Sequence, residues 1–101
     1  MIARVWRGTT RAEDAETYAS YMGGTGGEAL AGTSGNQGVY MLRRVQDDIA
    51  EFVMISLWES EEAIRGFAGD DIDVAVFFPE DDRYLVEREL TVSHYEVVER
   101  R

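Results

Sequence analysis

Cysteine and lysine are absent from this chain, and proline and histidine occur once each. Without cysteine there are no disulfides, no thiolate nucleophile and no cysteine-ligated zinc. Without lysine there is no GK[ST] and hence no P-loop. One imidazole cannot build an HExxH or other histidine-rich metal site. No stretch approaches the ~20 apolar residues of a membrane span. The opening MIARVWRGTT is charged within its first four residues and has no apolar run of signal-peptide length. These absences predict a soluble, cytoplasmic protein with neither metal nor organic cofactor.

Charge is what the chain has in excess. Twenty acidic residues face ten arginines, a formal net charge of −10. Phosphate binding relies on a basic surface that releases counterions, so nucleic acid is not an expected partner. The same sign repels anionic membranes and favours solubility through self-repulsion. The acidic groups Asp70-Asp71-Asp73 and Glu80-Asp81-Asp82 lack the twelve-residue loop, central glycine and closing glutamate of a calcium site, and read as solvated loops. Gly24 to Ala29 spells GxGxxA, but it follows a helix rather than a strand, so a dinucleotide fingerprint fails on context. The serines have no GxSxG setting.

A length of 101 residues predicts a single domain over 1–101. Met1 to Gly8 alternates as a strand, with Ile2, Arg4 and Trp6 on one face. Thr10 reads as the N-cap of a helix, completed by Glu13 as a capping box. Ala12, Ala15, Tyr18, Ala19 and Met22 make that helix's apolar stripe, and Gly23, Gly24, Gly26 and Gly27 are expected to stop it. Strands follow at 39–45 and 50–59, joined at Gln46-Asp47-Asp48 as a hairpin. Ser60 caps a second helix with Glu61 and Glu62 in its first turn; Ala63, Ile64 and Phe67 form its stripe and Gly69 ends it. Ile72 to Phe78 reads as a further helical turn or two before Pro79, and Leu90 to Val98 as the last strand. This order predicts an α+β, ferredoxin-like βαββαβ domain, a four-stranded antiparallel sheet with helices on one face.

The third strand is apolar on both faces: Val53, Ile55 and Leu57 on one, Phe52, Met54 and Trp58 on the other. A half-solvated antiparallel sheet would carry one polar set. Two helices cover one face only, and each large side chain left bare on the second forfeits ~1.5–3 kcal/mol. Packing two such sheets together about a two-fold axis buries both, which predicts a homodimer through the sheet faces. The alternative cover is an irregular segment of the same chain, around 23–38 or 72–78.

Leu57-Trp58-Glu59-Ser60-Glu61-Glu62-Ala63-Ile64 resembles the W-x-S-x-x-A-[FIL] signature of the antibiotic biosynthesis monooxygenase family. The resemblance extends to Gly35-Asn36-Gln37-Gly38 and to Val92-Ser93-His94-Tyr95-Glu96-Val97. It implies a dimeric α+β barrel, in a superfamily that includes cofactor-independent oxygenases of polyketide and quinol substrates, haem-degrading enzymes and small proteins without known function. Haem-degrading members carry an asparagine, a tryptophan and a ligating histidine at positions that correspond here to Arg7, Phe67 and Phe77. All three differ, and without an imidazole at Phe77 the iron has no axial nitrogen there, which argues against haem degradation.

Trp58 reads either as a core tryptophan or as a pocket wall that stacks on a flat substrate. His94 reads either as a structural residue or, facing a pocket, as a general base, since histidine titrates near neutrality. Arg43-Arg44 on a strand sends one side chain inward or toward a partner. A helix interrupted by Gly66 and Gly69 packs irregularly, so a pocket beside the sheet is expected, lined by Trp58, Phe67, Phe77 and Tyr95. Two readings follow: a cofactor-independent monooxygenase of a flat aromatic or quinol-type substrate with His94 as its base, or a non-catalytic, ligand-binding or stress-related dimer.

Overall fold

The computed structural model describes residues 1–101, and its sheet is built outward from the first strand. β1 (Ile2–Arg11) pairs antiparallel with β3 (Ile49–Trp58), from Ile2 opposite Trp58 to Arg11 opposite Ile49. Thr10 therefore lies in the ladder opposite Ala50 and is not a helix cap. Its hydroxyl donates to the Arg11 carbonyl, and the expected capping box with Glu13 does not form. The strand outcompetes the local cap because its last residues gain ladder partners and Thr10 becomes fully buried. A 3₁₀ turn at Ala12–Asp14 leads into α1 (Ala15–Met22), whose buried residues are Ala15, Tyr18 and Met22.

The glycines do not stop this helix. Gly23 holds helical angles (φ −60°, ψ −40°), and Gly23–Gly27 forms a π-helical turn that runs on into α2 (Glu28–Ala31). Glycine in a helix costs ~1 kcal/mol without forbidding the conformation, and Leu30, buried at the far end, offsets part of that.

β2 (Asn36–Gln46) returns to β3 through Asp47, which takes the positive φ of 56° that the hairpin needs. Gly35, at φ +90°, precedes it so closely that an added Cβ would lie 2.4 Å from the β-carbon of Ala63. α3 (Glu61–Ala68) starts where Ser60 Oγ accepts a bond from the Ala63 amide at 3.1 Å, and ends at Gly69 with φ +85°.

Beyond α3 the expected helical turns at Ile72–Phe78 are not found. Val74 bridges Thr91, the Ala75 amide donates to Leu90 and the Val92 amide to Asp73, so this segment is held across the sheet edge instead. The acidic run expected as a loop contributes α4 (Asp81–Tyr84). The last strand arrives in two pieces, β4 (Leu85–Arg88) and β5 (Ser93–Glu96), both antiparallel to β1. Between Val5 opposite Ser93 and Gly8 opposite Arg88, β1 spends Trp6 and Arg7 while the other strand spends residues 89–92. This excursion delivers Leu90 and Thr91 to the 73–75 segment.

The sheet order β2-β3-β1-β4, with β5 beside β1, is the α+β ferredoxin-like arrangement with its fourth strand interrupted. Register assigns the faces. Arg4, Trp6 and Gly8 stand opposite Ser56, Met54 and Phe52, on the side covered by helices. Ala3, Val5 and Arg7 stand opposite Leu57, Ile55 and Val53 on the other, which Tyr40 and Leu42 extend along β2.

Gly23 and Gly24 have open space where a Cβ would sit and neither has a positive φ. Gly23→Ala and Gly24→Ala should each raise stability by ~0.5–1 kcal/mol, read as a higher urea midpoint with an unchanged slope. A loss of stability in both would show that the turn is not helical in solution.

Candidate functional site

Strand alternation places Arg4 and Trp6 side by side on the covered face of β1, where they form the floor of a cavity with Met54 of β3. Tyr18 and Met22 of α1, Gly26 of the π turn and Leu30 of α2 make one wall. Phe67 of α3 and the extended Val76-Phe77-Phe78 make the other, with Asp81 beside them. Its free volume is about 40 Å³, room for roughly two or three waters. A flat bicyclic ligand needs several times that, so its aromatic walls would have to part.

The Trp6 indole lies along its strand over Gly8: a Cβ there would fall 2.5 Å from the ring. Its Nε1 donates to the Glu89 carbonyl at 2.8 Å, so the excursion in the last strand fixes the ring. Phe77 meets Trp6 edge-on at 6.2 Å, and the guanidinium of Arg88 covers the Phe77 ring at 4.6 Å.

Two polar features stand among these rings. Tyr18, fully buried, donates its hydroxyl to Asp81 Oδ1 at 3.0 Å, and Asp81 Oδ2 accepts the Phe78 amide at 2.7 Å. Burial first, and the charge of Asp81 second, push the Tyr18 pKa well above the ordinary tyrosine value. Arg4 is 5% exposed. Burial pulls its pKa below the usual arginine value, an effect the charge of Asp73 partly offsets.

The residues expected to line a pocket are divided. Phe67 and Phe77 are in the cavity wall. Trp58 is not: it is completely buried behind Phe67 (ring centroids 6.3 Å apart) and donates from Nε1 to Ser56 Oγ at 2.9 Å. Tyr95 stands opposite Ala3 on the uncovered face of the sheet. His94 stands opposite Arg4 in a separate shallow groove with Ile2, Ile72 and Asp73, its Nδ1 3.3 Å from Asp73. Arg43 pairs with Glu16 of α1, and Arg44 with Glu51 on the open face, where Arg7 also holds that carboxylate below its usual pKa range. No three His, Cys, Asp or Glu side chains converge on one point.

Sequence reasoning missed Arg4, Trp6, Tyr18 and Asp81 as a group. One signal was present, since Arg4 interrupts the apolar face that Ile2 and Trp6 define. For Asp81 there was none, because its partner is 63 residues away.

No protein-family model matches the chain, and no curated protein matches its sequence. Solved structures do match over its whole length. A protein of Bacillus cereus, provisionally named an antibiotic biosynthesis monooxygenase, shares 18% identity at a TM-score of 0.69, over 99% of this chain and 95% of that one. The haem degrader MhuD of Mycobacterium tuberculosis, with two haems in its active site, shares 17% identity at 0.61, over 99% and 98%. An arginine-to-serine variant of MhuD, with two manganese protoporphyrins per active site, gives 18% and 0.61, over 99% and 97%. The chain has the fold of these proteins. No histidine lines its own cavity, so haem iron would find no imidazole there.

Tyr18 ties stability to alkaline pH. Its folded pKa is raised, so its contribution is whole below about 10, the unfolded tyrosine value, and is lost as pH rises beyond it. Tyr18→Phe should cost ~1–3 kcal/mol at neutral pH by leaving Asp81 one donor short. It should also narrow the difference in urea stability between pH 7 and about 11. An undiminished difference in the variant would remove Tyr18 from the alkaline transition.

Proposed function

We propose that the chain acts as a homodimer in which each cavity takes a flat, largely apolar aromatic ligand of quinol type and oxygenates it without a metal or organic cofactor. The observation that carries this reading is the cavity itself: aromatic walls around a buried arginine and a buried Tyr18–Asp81 pair. A fold shared with a provisionally named monooxygenase supports it. A substrate anion can pass electrons to oxygen directly, so the protein need supply only a proton acceptor and a water-poor cavity. Asp81 is the acceptor at the cavity wall; His94 lines the neighbouring groove instead.

One observation favours ligand binding without turnover. Both Asp81 oxygens already accept hydrogen bonds, so a ligand proton would compete with the Tyr18 hydroxyl and the Phe78 amide for them. A naphthoquinol or anthrone titrated into Trp58→Phe, whose remaining indole is Trp6, separates the cases. Saturable quenching of Trp6 with ligand-dependent oxygen uptake supports the enzyme; quenching alone supports the binding protein. No quenching beyond that of free indole removes the cavity as a ligand site.

The homodimer rests on the uncovered sheet face. Val5, Val53 and Ile55 form its centre, and Tyr40 (53% exposed), Leu42 (47%) and Tyr95 (60%) stand around them. Neither segment expected as an alternative cover lies here: Gly26 and Val76–Phe78 pack on the cavity side. Each of these large apolar side chains gains ~1.5–3 kcal/mol on burial, and a second copy of the same face supplies the complement. Light scattering at ~1 µM, a concentration a core-like interface should withstand, should give twice the chain mass of 11.4 kDa. A folded particle of single mass would refute the assembly.

A further inference from the structure

Eight of the ten arginines pair with a carboxylate within the chain. Arg4 does not, although it is the most deeply buried of the arginines in this structure. One Nη donates to the Val74 carbonyl at 3.0 Å, and the guanidinium lies 5.4 Å from the centre of the Phe67 ring. Its Nε–H is sealed from solvent and has no acceptor. The acid nearest in effect, Asp73, is itself largely exposed and sits beside His94.

Fastening Val74 to the sheet requires one donor, and a guanidinium carries five. A buried cation whose donors are mostly unused is costly unless something neutralises it. Arg4 also forms part of the cavity floor, among rings that supply no acceptor of their own. Asp81 lies on the cavity wall, but it is engaged by Tyr18 and Phe78 and makes no ion pair with Arg4. The cavity is thus largely aromatic around its perimeter, with the engaged Tyr18–Asp81 pair in its wall and a cation without a carboxylate partner at its floor.

We propose that Arg4 is the counter-charge for an anionic oxygen on the ligand, so that the cavity selects acidic aromatics (carboxylates, enols or acidic phenols) over neutral ones. This rests on the reading of the cavity as a ligand site. An aromatic body fills the space between Trp6, Phe67 and Phe77, and its oxygen accepts from the guanidinium. Arg4 is then a specificity determinant, and it binds the anion as it exists in solution.

The test uses 2-naphthoate and its neutral counterpart 2-naphthamide, titrated into the wild type, Arg4→Met and Arg4→Lys. The wild type should bind the carboxylate at least about tenfold more tightly, as expected of a hydrogen bond between charged groups. Arg4→Met should lose that preference while keeping its affinity for the amide; Arg4→Lys should retain part of it. In the wild type the Arg4 Nε–H proton resonance should move downfield with 2-naphthoate and stay in place with 2-naphthamide. That readout does not depend on either variant folding. Equal binding of the two probes, an Arg4→Met protein that keeps the preference, or an Nε–H signal indifferent to 2-naphthoate would overturn the role of Arg4 and leave the cavity standing. Binding of neither probe would overturn the cavity reading, and this inference with it.

Discussion

The buried bond from Tyr18 to Asp81 joins two parts of the chain that nothing else in their own sequence would bring together. Asp81 opens α4 and accepts the Phe78 amide, so it closes the turn around Pro79 and at the same time fastens that turn to α1. The outer wall of the cavity is consequently held to its inner wall at two polar points, this buried bond and an exposed one from the Glu80 amide to the Tyr21 hydroxyl at 2.9 Å, with packed rings elsewhere. Tyr18 meets Phe52 at 5.1 Å on the sheet and Tyr84 at 5.8 Å on α4, so the phenol is also the hub of an aromatic cluster. Apolar packing sets how closely the layers approach. The buried directional bond sets where they register, because a buried carboxylate tolerates few other arrangements.

The two faces of the sheet differ in role through simple alternation. On the covered side the row Arg4, Trp6, Gly8 descends from charged to bulky to bare, and each step has a structural counterpart: the charged part of the cavity floor, its aromatic part, and a space into which the indole lies. On the uncovered side the same strand presents Ala3, Val5 and Arg7, apolar until the ion pair with Glu51. An odd-to-even shift of one residue would exchange these roles, which is why the ten-residue ladder between β1 and β3 matters more than any local preference.

Much of this was legible in the sequence because it depends on neighbours within a few residues. The W-x-S-x-x-A-I run is readable because each position acts locally. Trp58 closes the strand, Ser60 caps α3, Ala63 is small enough to meet Gly35, and Ile64 enters the core. Those local roles specify a fold and carry no chemistry, so the same run is a poor guide to activity. What local reasoning misjudged was decided at a distance. Thr10 has the chemistry of a cap, but β3 supplied a ladder. Ile72–Phe78 has helical spacing, but Leu90 and Thr91 supplied backbone partners. Asp81 reads as a solvated acid until Tyr18 is placed beside it. The glycines at 23–27 read as a stop, and became a π turn because Leu30 had a core to enter. The cavity was half visible for the same reason: Phe67 was found from helical spacing and Phe77 from the segment that follows the broken helix, whereas Arg4 needed the strand register to show which neighbours it faces.

The interrupted last strand also governs how this sheet meets other chains at its margins. An uninterrupted edge offers a row of free amides and carbonyls to any extended peptide, and proteins commonly blunt such edges with bulges. Here the step from β4 to β5 pairs the backbones of Leu90 and Thr91 with the 73–75 segment, so that margin has no continuous template to extend. The opposite margin, β2, is one strand of eleven residues whose register shifts only at its start, between Asn36 and Gly38. Its guards are side chains, Arg43 and Arg44, each held in place by an acid. One border of the sheet is therefore protected by backbone geometry, which heat and salt leave intact until the fold opens, and the other by charge, which salt screens. Under stress, misassembly would begin along β2.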